Sequence, residues 1–248
     1  QVQRVGDHDE DVGKGVDGDD EDQSRHTKDV DQGILGAIVV VGHPVVSAEP
    51  LKQALEWGIP VVTLEYRLPG AHSVHVDNIT GGRLAAGRLA ESCSRFAVVG
   101  PKNKNPLADL RSEGFLSELA QRGFDPALIR TATVERADVE SGEALGRRLE
   151  LTRGEDLGIF CAWGDLASFG LIRGLSDRNF RVGEDFKLVG YDDLSFTQYL
   201  KPGLTTIRQP FIEMGRQAAR LAALGIKDPA IPTIHKMLQP ELVVRETA

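Results

Sequence analysis

The residues best equipped for chemistry lie in one short run, Lys187-Leu188-Val189-Gly190-Tyr191-Asp192-Asp193. An apolar pair ends at a glycine, and two adjacent carboxylates follow. In an open α/β sheet, ligands bind outside the carboxyl ends of the strands. An aspartate there can accept hydrogen bonds from hydroxyl or N–H groups. Paired carboxylates also raise acid–base chemistry, but adjacent residues usually point apart, and neither a nucleophile nor a histidine accompanies this pair. Asp192 therefore reads as a ligand acceptor and Asp193 as a turn or cap carboxylate. Arg111, in Arg111-Ser112-Glu113-Gly114-Phe115, offers a planar fork of donors that suits paired hydroxyls or a carboxylate; a solvated helix arginine is the plainer alternative. Cys93 and Cys161 are isolated, as free thiols of a reducing compartment would be. No Walker loop, zinc spacing, nucleophile elbow or dinucleotide fingerprint occurs, and Gly81-Gly82 reads as a helix start. The expectation is a protein without catalytic residues, metal or cofactor, and not an enzyme.

These side chains need elements to position them. Ala37–Val41 is a continuous β-branched run, the pattern of a strand buried on both faces. Pro60–Leu64, His72–Val76, Phe96–Val99, Ile129–Val134, Leu157–Cys161 and Phe186–Val189 follow as strands, with a closing strand region at Ile234–Val244. Between them lie helical stretches at Glu49–Trp57, Ile79–Ser92, Leu107–Arg122, Asp138–Leu149, Leu166–Arg178 and Phe211–Leu224. Strands alternating with helices of this length predict an α/β fold with parallel sheets covered on both faces.

Composition narrows the class of function. The chain has 248 residues and a net charge of −8. Residues 1–33 hold 11 acids and 4 bases, so the rest of the chain is close to neutral and presents no basic excess for phosphate neutralisation. That leader has five valines as its only aliphatic side chains. Such a segment buries too little apolar surface to offset the entropy of ordering, so it is expected to be disordered or non-native. It shows no secretory signal, and no apolar run approaches a membrane span.

Several motifs in order and spacing resemble the effector-binding domain of the LacI/GalR (lactose-repressor) family of transcription regulators. They are Gly190-Tyr191-Asp192-Asp193, Leu204-Thr205-Thr206-Ile207-Arg208-Gln209-Pro210-Phe211, Met214-Gly215 and Pro240–Glu246, and the likeness runs from about Gly33 to Ala248. The resemblance implies two Rossmann-like lobes with three chain crossings, near Val76-Asp77, Arg208-Gln209 and 236–239. The first lobe would be 34–76 plus 209–236, incomplete for want of its opening strands. The second would be 77–208 plus 237–248. It also implies an effector between the lobes, gripped by Arg111 and Asp192. Glu65 stands where the family often has aspartate, and Phe211 matches an apolar lining residue. His43, ending the first strand, is a further candidate, although a lone histidine there is more often a loop residue. Tyr66-Arg67 either reach the rim or cover surface.

The sequence also departs from the family. The usual Asn-Asp is Gly164-Asp165 here, so an amide is lost while Asp165 stays a candidate. Trp163 offers a stacking face instead. Ala137 stands where an aromatic usually covers the ligand, and Pro101–Pro106 replaces a serine- and glycine-rich loop.

What the resemblance implies is a cytoplasmic sensor of a sugar or related polar metabolite. It would be a homodimer in which lobe angle sets DNA binding. Operator contact would come through a headpiece not seen in this sequence, and no membrane would be involved. The alternative is a periplasmic-type sugar-binding protein of a transporter.

Overall fold

Each strand of the second half shows the same two-residue alternation, and that alternation builds the layers. The computed structural model describes residues 36–41 and 48–248. The leader 1–33 and His43 lie outside the described residues. Ala37–Ala248 forms one compact unit.

The larger sheet contains β4 (Arg95–Pro101), β5 (Ile129–Val134), β6 (Leu157–Cys161), β7 (Phe186–Asp192), β8 (Thr205–Arg208) and β10 (Glu241–Val243), in the order β10-β8-β7-β6-β4-β5. All pair in parallel except β10, which runs antiparallel to β8. Ala97, Val99, Ile159, Cys161 and Leu188 face helices α4 (Val139–Arg148) and α5 (Asp165–Ser176). Their neighbours Phe96, Val98, Phe160, Val189 and Tyr191 face α2 (Asn78–Leu89) and α3 (Pro106–Gln121). Apolar residues on both faces are what a doubly covered parallel sheet requires.

The smaller sheet has four strands among the described residues: β1 (Ile38–Val41), β2 (Val61–Leu64), β3 (His72–Val76) and β9 (His235–Leu238), all parallel and in that order. Helix α6 (Phe211–Lys227) covers one face through Met214, Ala218 and Leu221. Helix α1 (Glu49–Glu56) packs on the other through Ala54, Leu51 and Leu55.

The chain passes between the sheets three times. From Val76 it enters α2 of the larger half, and from Arg208 it runs through Gln209-Pro210 into α6 of the smaller. Strand β9 stays bonded to β3 as far as Leu238, and β10 joins β8 from Glu241. Residues 237 and 238, placed in the second lobe by sequence, thus belong to the smaller sheet, because backbone pairing with β3 continues through them.

The helices start where the sequence supplies caps. Asn105 accepts from the Leu107 and Ala108 amides, with Pro106 at the first helical position. Asp77 and Asp138 cap α2 and α4 by accepting from Thr80 and Ser141. The cap at Asn105 fixes the start of α3 and with it the position of Arg111, on its second turn.

Candidate functional site

Glu65 follows β2 in a left-handed backbone conformation (φ 71°), and Asp192 ends β7 in another (φ 108°). Non-glycine residues held there cost about 1–3 kcal/mol each, and such strain gathers at ligand sites. Both carboxylates thus stand at the carboxyl tips of strands, one from each sheet.

A polar network joins them. Glu65 accepts from the Val76 amide at 2.9 Å and from Asn78 Nδ2 at 3.2 Å. Asn78 Oδ1 in turn accepts from Arg111 Nε at 2.8 Å and from the Tyr191 hydroxyl at 3.1 Å. Arg111 Nη1 donates to the Ala162 carbonyl at 3.1 Å, and the guanidinium carbon lies 3.7 Å from the Tyr191 ring centroid. This stacked, twice-bonded arginine is 6% exposed. Asp192 Oδ1 accepts from Gln209 Nε2 at 2.6 Å. Arg111 and Asp192 thus bring a guanidinium and a carboxylate close enough for the cation's charge to act on the acid.

Electrostatics agree with the geometry. Burial raises the pKa of Glu65, opposed by its bonds to Asn78 and Val76 and by the Arg111 charge. Burial likewise raises that of Asp192, against the pull of Arg111 and the Gln209 hydrogen bond. Burial also raises the pKa of the Tyr191 hydroxyl, again against Arg111. One cation therefore acts on two carboxylates from different sheets.

Two buried atoms at this end of the larger sheet lack partners among the described residues, Trp163 Nε1 and Gln209 Oε1. Trp163 is half-buried against the core beside α4 and α5. Gly164 follows it at φ 108°, where a Cβ would sit 2.8 Å from Asp192 Oδ2. The missing amide at 164 thus has a local reason: a side chain there would press on the aspartate.

Other expected residues go elsewhere. Asp165 is fully buried and spends both oxygens inside the protein, on the Thr206 hydroxyl at 2.7 Å and the Leu194 amide at 2.9 Å. Its reading as a ligand contact is corrected to an internal brace between β7 and β8. Burial pushes its pKa up to about 7, the charges of Asp192 and Asp193 add to this, and its two hydrogen bonds oppose it. Asp193 is clamped by Arg245 and Arg208, both at 2.7 Å; burial opposes, but these bonds hold its pKa below the ordinary value. Phe211 opens α6 two residues after Gln209, with its ring half exposed. Tyr66 packs in the core beside α1 while Arg67 is exposed. Lys102 pairs with Glu135 on the surface at 2.7 Å, as a solvated loop would. Ala137 is exposed just before α4.

Asn78, Tyr191 and Gln209 complete the network, although their residue types alone do not mark them as site residues. Tyr191 and Gln209 sit inside quoted motifs. Asn78 follows the crossing at Asp77, the one available hint.

The profile of the periplasmic binding protein-like domain family matches residues 88–248. The transcriptional regulator CelR of Thermobifida fusca is 32% identical over 208 residues, which cover 80% of this chain and 60% of that protein. This chain belongs to the LacI/GalR family. It spans about 60% of the length of the curated relatives it matches first. A LacI-family regulator from Enterococcus faecium, solved with bound ribose, superposes with a TM-score of 0.76 at 27% identity, over 84% of this chain and 77% of that one. A CelR–cellobiose complex superposes with a TM-score of 0.73 at 28% identity, over 93% and 71%. Among the described residues no helix is long and apolar enough to cross a membrane.

Proposed function

We propose that this segment is the ligand-sensing part of a cytoplasmic LacI-type transcription regulator and that its effector is a sugar or a sugar derivative. The observation that carries the reading is the buried Arg111, stacked on Tyr191 and facing carboxylates from both sheets. A molecule rich in hydroxyls matches this set, because each hydroxyl can accept from the guanidinium or the Trp163 indole and donate to Asp192 or Gln209. Ribose and cellobiose bound to the two solved relatives support that class.

The lobes would be 37–76 plus 209–238 and 77–208 plus 239–248, hinged at the three crossings. Effector binding favours the arrangement in which both strand tips contact it, and a dimer passes the changed lobe angle to DNA-binding headpieces. No turnover of the ligand is part of this reading.

The test is thermal denaturation against a panel of pentoses, hexoses and disaccharides. A true effector at a hundredfold excess over its Kd adds about 2.7 kcal/mol, a rise of roughly 5–10 °C for a domain of this size. The shift should vanish in Arg111→Lys, which loses the planar fork. A panel without any shift, at concentrations that occupy sugar sites in such regulators, would contradict the proposal.

A further inference from the structure

Two histidines on neighbouring strands of the smaller sheet aim ring nitrogens at one oxygen. Strands β3 and β9 pair in parallel with His235 opposite Ser73 and Met237 opposite His75. Residues two apart on a strand share a face, so these four side chains stand together on the face away from α6. His75 Nε2 lies 2.7 Å from Ser73 Oγ, and His235 Nδ1 lies 2.6 Å from the same atom. The serine is fully buried, whereas His235 and Met237 are exposed, Met237 by 57%. The cluster is therefore open to solvent on its β9 side. It plays no part in the site at the strand tips.

The arrangement asks more of one hydroxyl than a hydrogen-bonded pair needs. The Ser73 proton can go to only one imidazole, so the other must donate its own N–H to Oγ. Two imidazole nitrogens held around one point are also the beginning of a metal site. We propose that this face of β3 and β9 binds a transition-metal ion, with His75 and His235 as ligands, Met237 on the adjoining rung as a soft neighbour, and copper as the favoured ion.

Imidazole nitrogens bind such ions at about 2.0–2.1 Å. Nitrogens that already approach a shared oxygen need only small ring rotations to share a cation. Divalent affinities rise through nickel to copper and fall again at zinc, and a thioether would favour the ion further only in its cuprous state. Among the described residues no three His, Cys, Asp or Glu side chains gather at a common point. Water and the serine oxygen would therefore complete the coordination, as befits an open surface site.

Both nitrogens must present lone pairs. The imidazole that donates to Oγ moves its proton to its other ring nitrogen, and no proton is released. Metal ligation needs both imidazoles neutral, so binding should weaken as the pH is lowered. The charge of Arg67 repels the ion, which keeps the site weaker than a closed one. Strands β3 and β9 each run on into the larger half, so a bound ion would tie together two of the three crossing segments.

The experiment uses the full chain with His8, His26 and His43 replaced by glutamine, titrated with copper(II), nickel(II) or zinc(II) chloride. Electron paramagnetic resonance of the copper form should show two nitrogen ligands, and calorimetry should rank copper tightest. His75→Gln or His235→Gln should weaken copper binding by about tenfold or more, while Ser73→Ala should retain it. Circular dichroism melts report whether the variants fold. Folded glutamine variants that bind copper as well as the parent would overturn the proposal. If those variants do not fold, the parent spectrum decides: fewer than two nitrogens, or tighter binding of zinc, would overturn it too.

Discussion

Asn78 is the residue on which the arginine depends. Its amide takes one donor from Arg111 and one from Tyr191 while giving its own N–H to Glu65 and to the Val76 carbonyl. Removing it strands two buried donors, and each unsatisfied group costs about 1–3 kcal/mol. Asn78→Ala should therefore lower stability by roughly 2–5 kcal/mol, read as a shifted midpoint in urea. An unchanged midpoint would show that the network is not formed. Asp165 gives a second expectation at this scale. Its folded pKa, about 7, exceeds the ordinary value of 3.8. A group raised on folding contributes stability fully below its unfolded pKa and loses it as pH rises through the folded one. The melting temperature should thus fall across pH 4–7 by more in the wild type than in Asp165→Asn, which cannot ionise. Equal slopes would mean that Asp165 titrates normally. Arg111 and Asp192 were legible because their chemistry stands out beside a strand end or a helix start. Asn78 and Gln209 were not: their partners lie 33 and 17 positions away, and an amide in isolation carries no distinguishing signal.

At the scale of elements, the site depends on how closely α2 approaches α3. A Cβ on Gly82 would overlap the carbonyl oxygen of Arg111 itself, and one on Gly114 would overlap that of Ile79. The close helix crossing thus sets the depth of the guanidinium. Gly82→Ala must push α3 outward, at about 1–3 kcal/mol or somewhat more, with weakened effector binding. A chemical-denaturation curve beside an affinity measurement checks both, and a silent substitution would contradict the crossing. The strand and helix order was largely readable, since β-branched runs alternate with capped helices. Strand β8 is not legible as a strand because its first two residues are threonines. Both are fully buried, with their hydroxyls satisfied by Ala248 and Asp165, and sequence patterning counts such residues as polar. Likewise Asp165 looked like a ligand contact, because nothing local reveals that Thr206 and Leu194 consume both its oxygens.

In the whole molecule, two largely parallel sheets are joined by three segments, and carboxylates from both feel one cation. The third segment starts after Leu238, a detail set by pairing across strands and so hidden from a linear reading. A sensor built this way should become more compact with effector bound, seen as a smaller radius of gyration in small-angle scattering; identical curves would argue against hinge closure. The most direct measurement is calorimetry of the effector against the wild type and Asp192→Asn. The variant keeps one oxygen for Gln209 but exchanges the other acceptor oxygen, and the charge, for an NH2 donor. The account predicts an intact fold and an affinity lower by roughly ten- to a hundredfold, the worth of a hydrogen bond to a charged group. Undiminished affinity in the folded variant would contradict it.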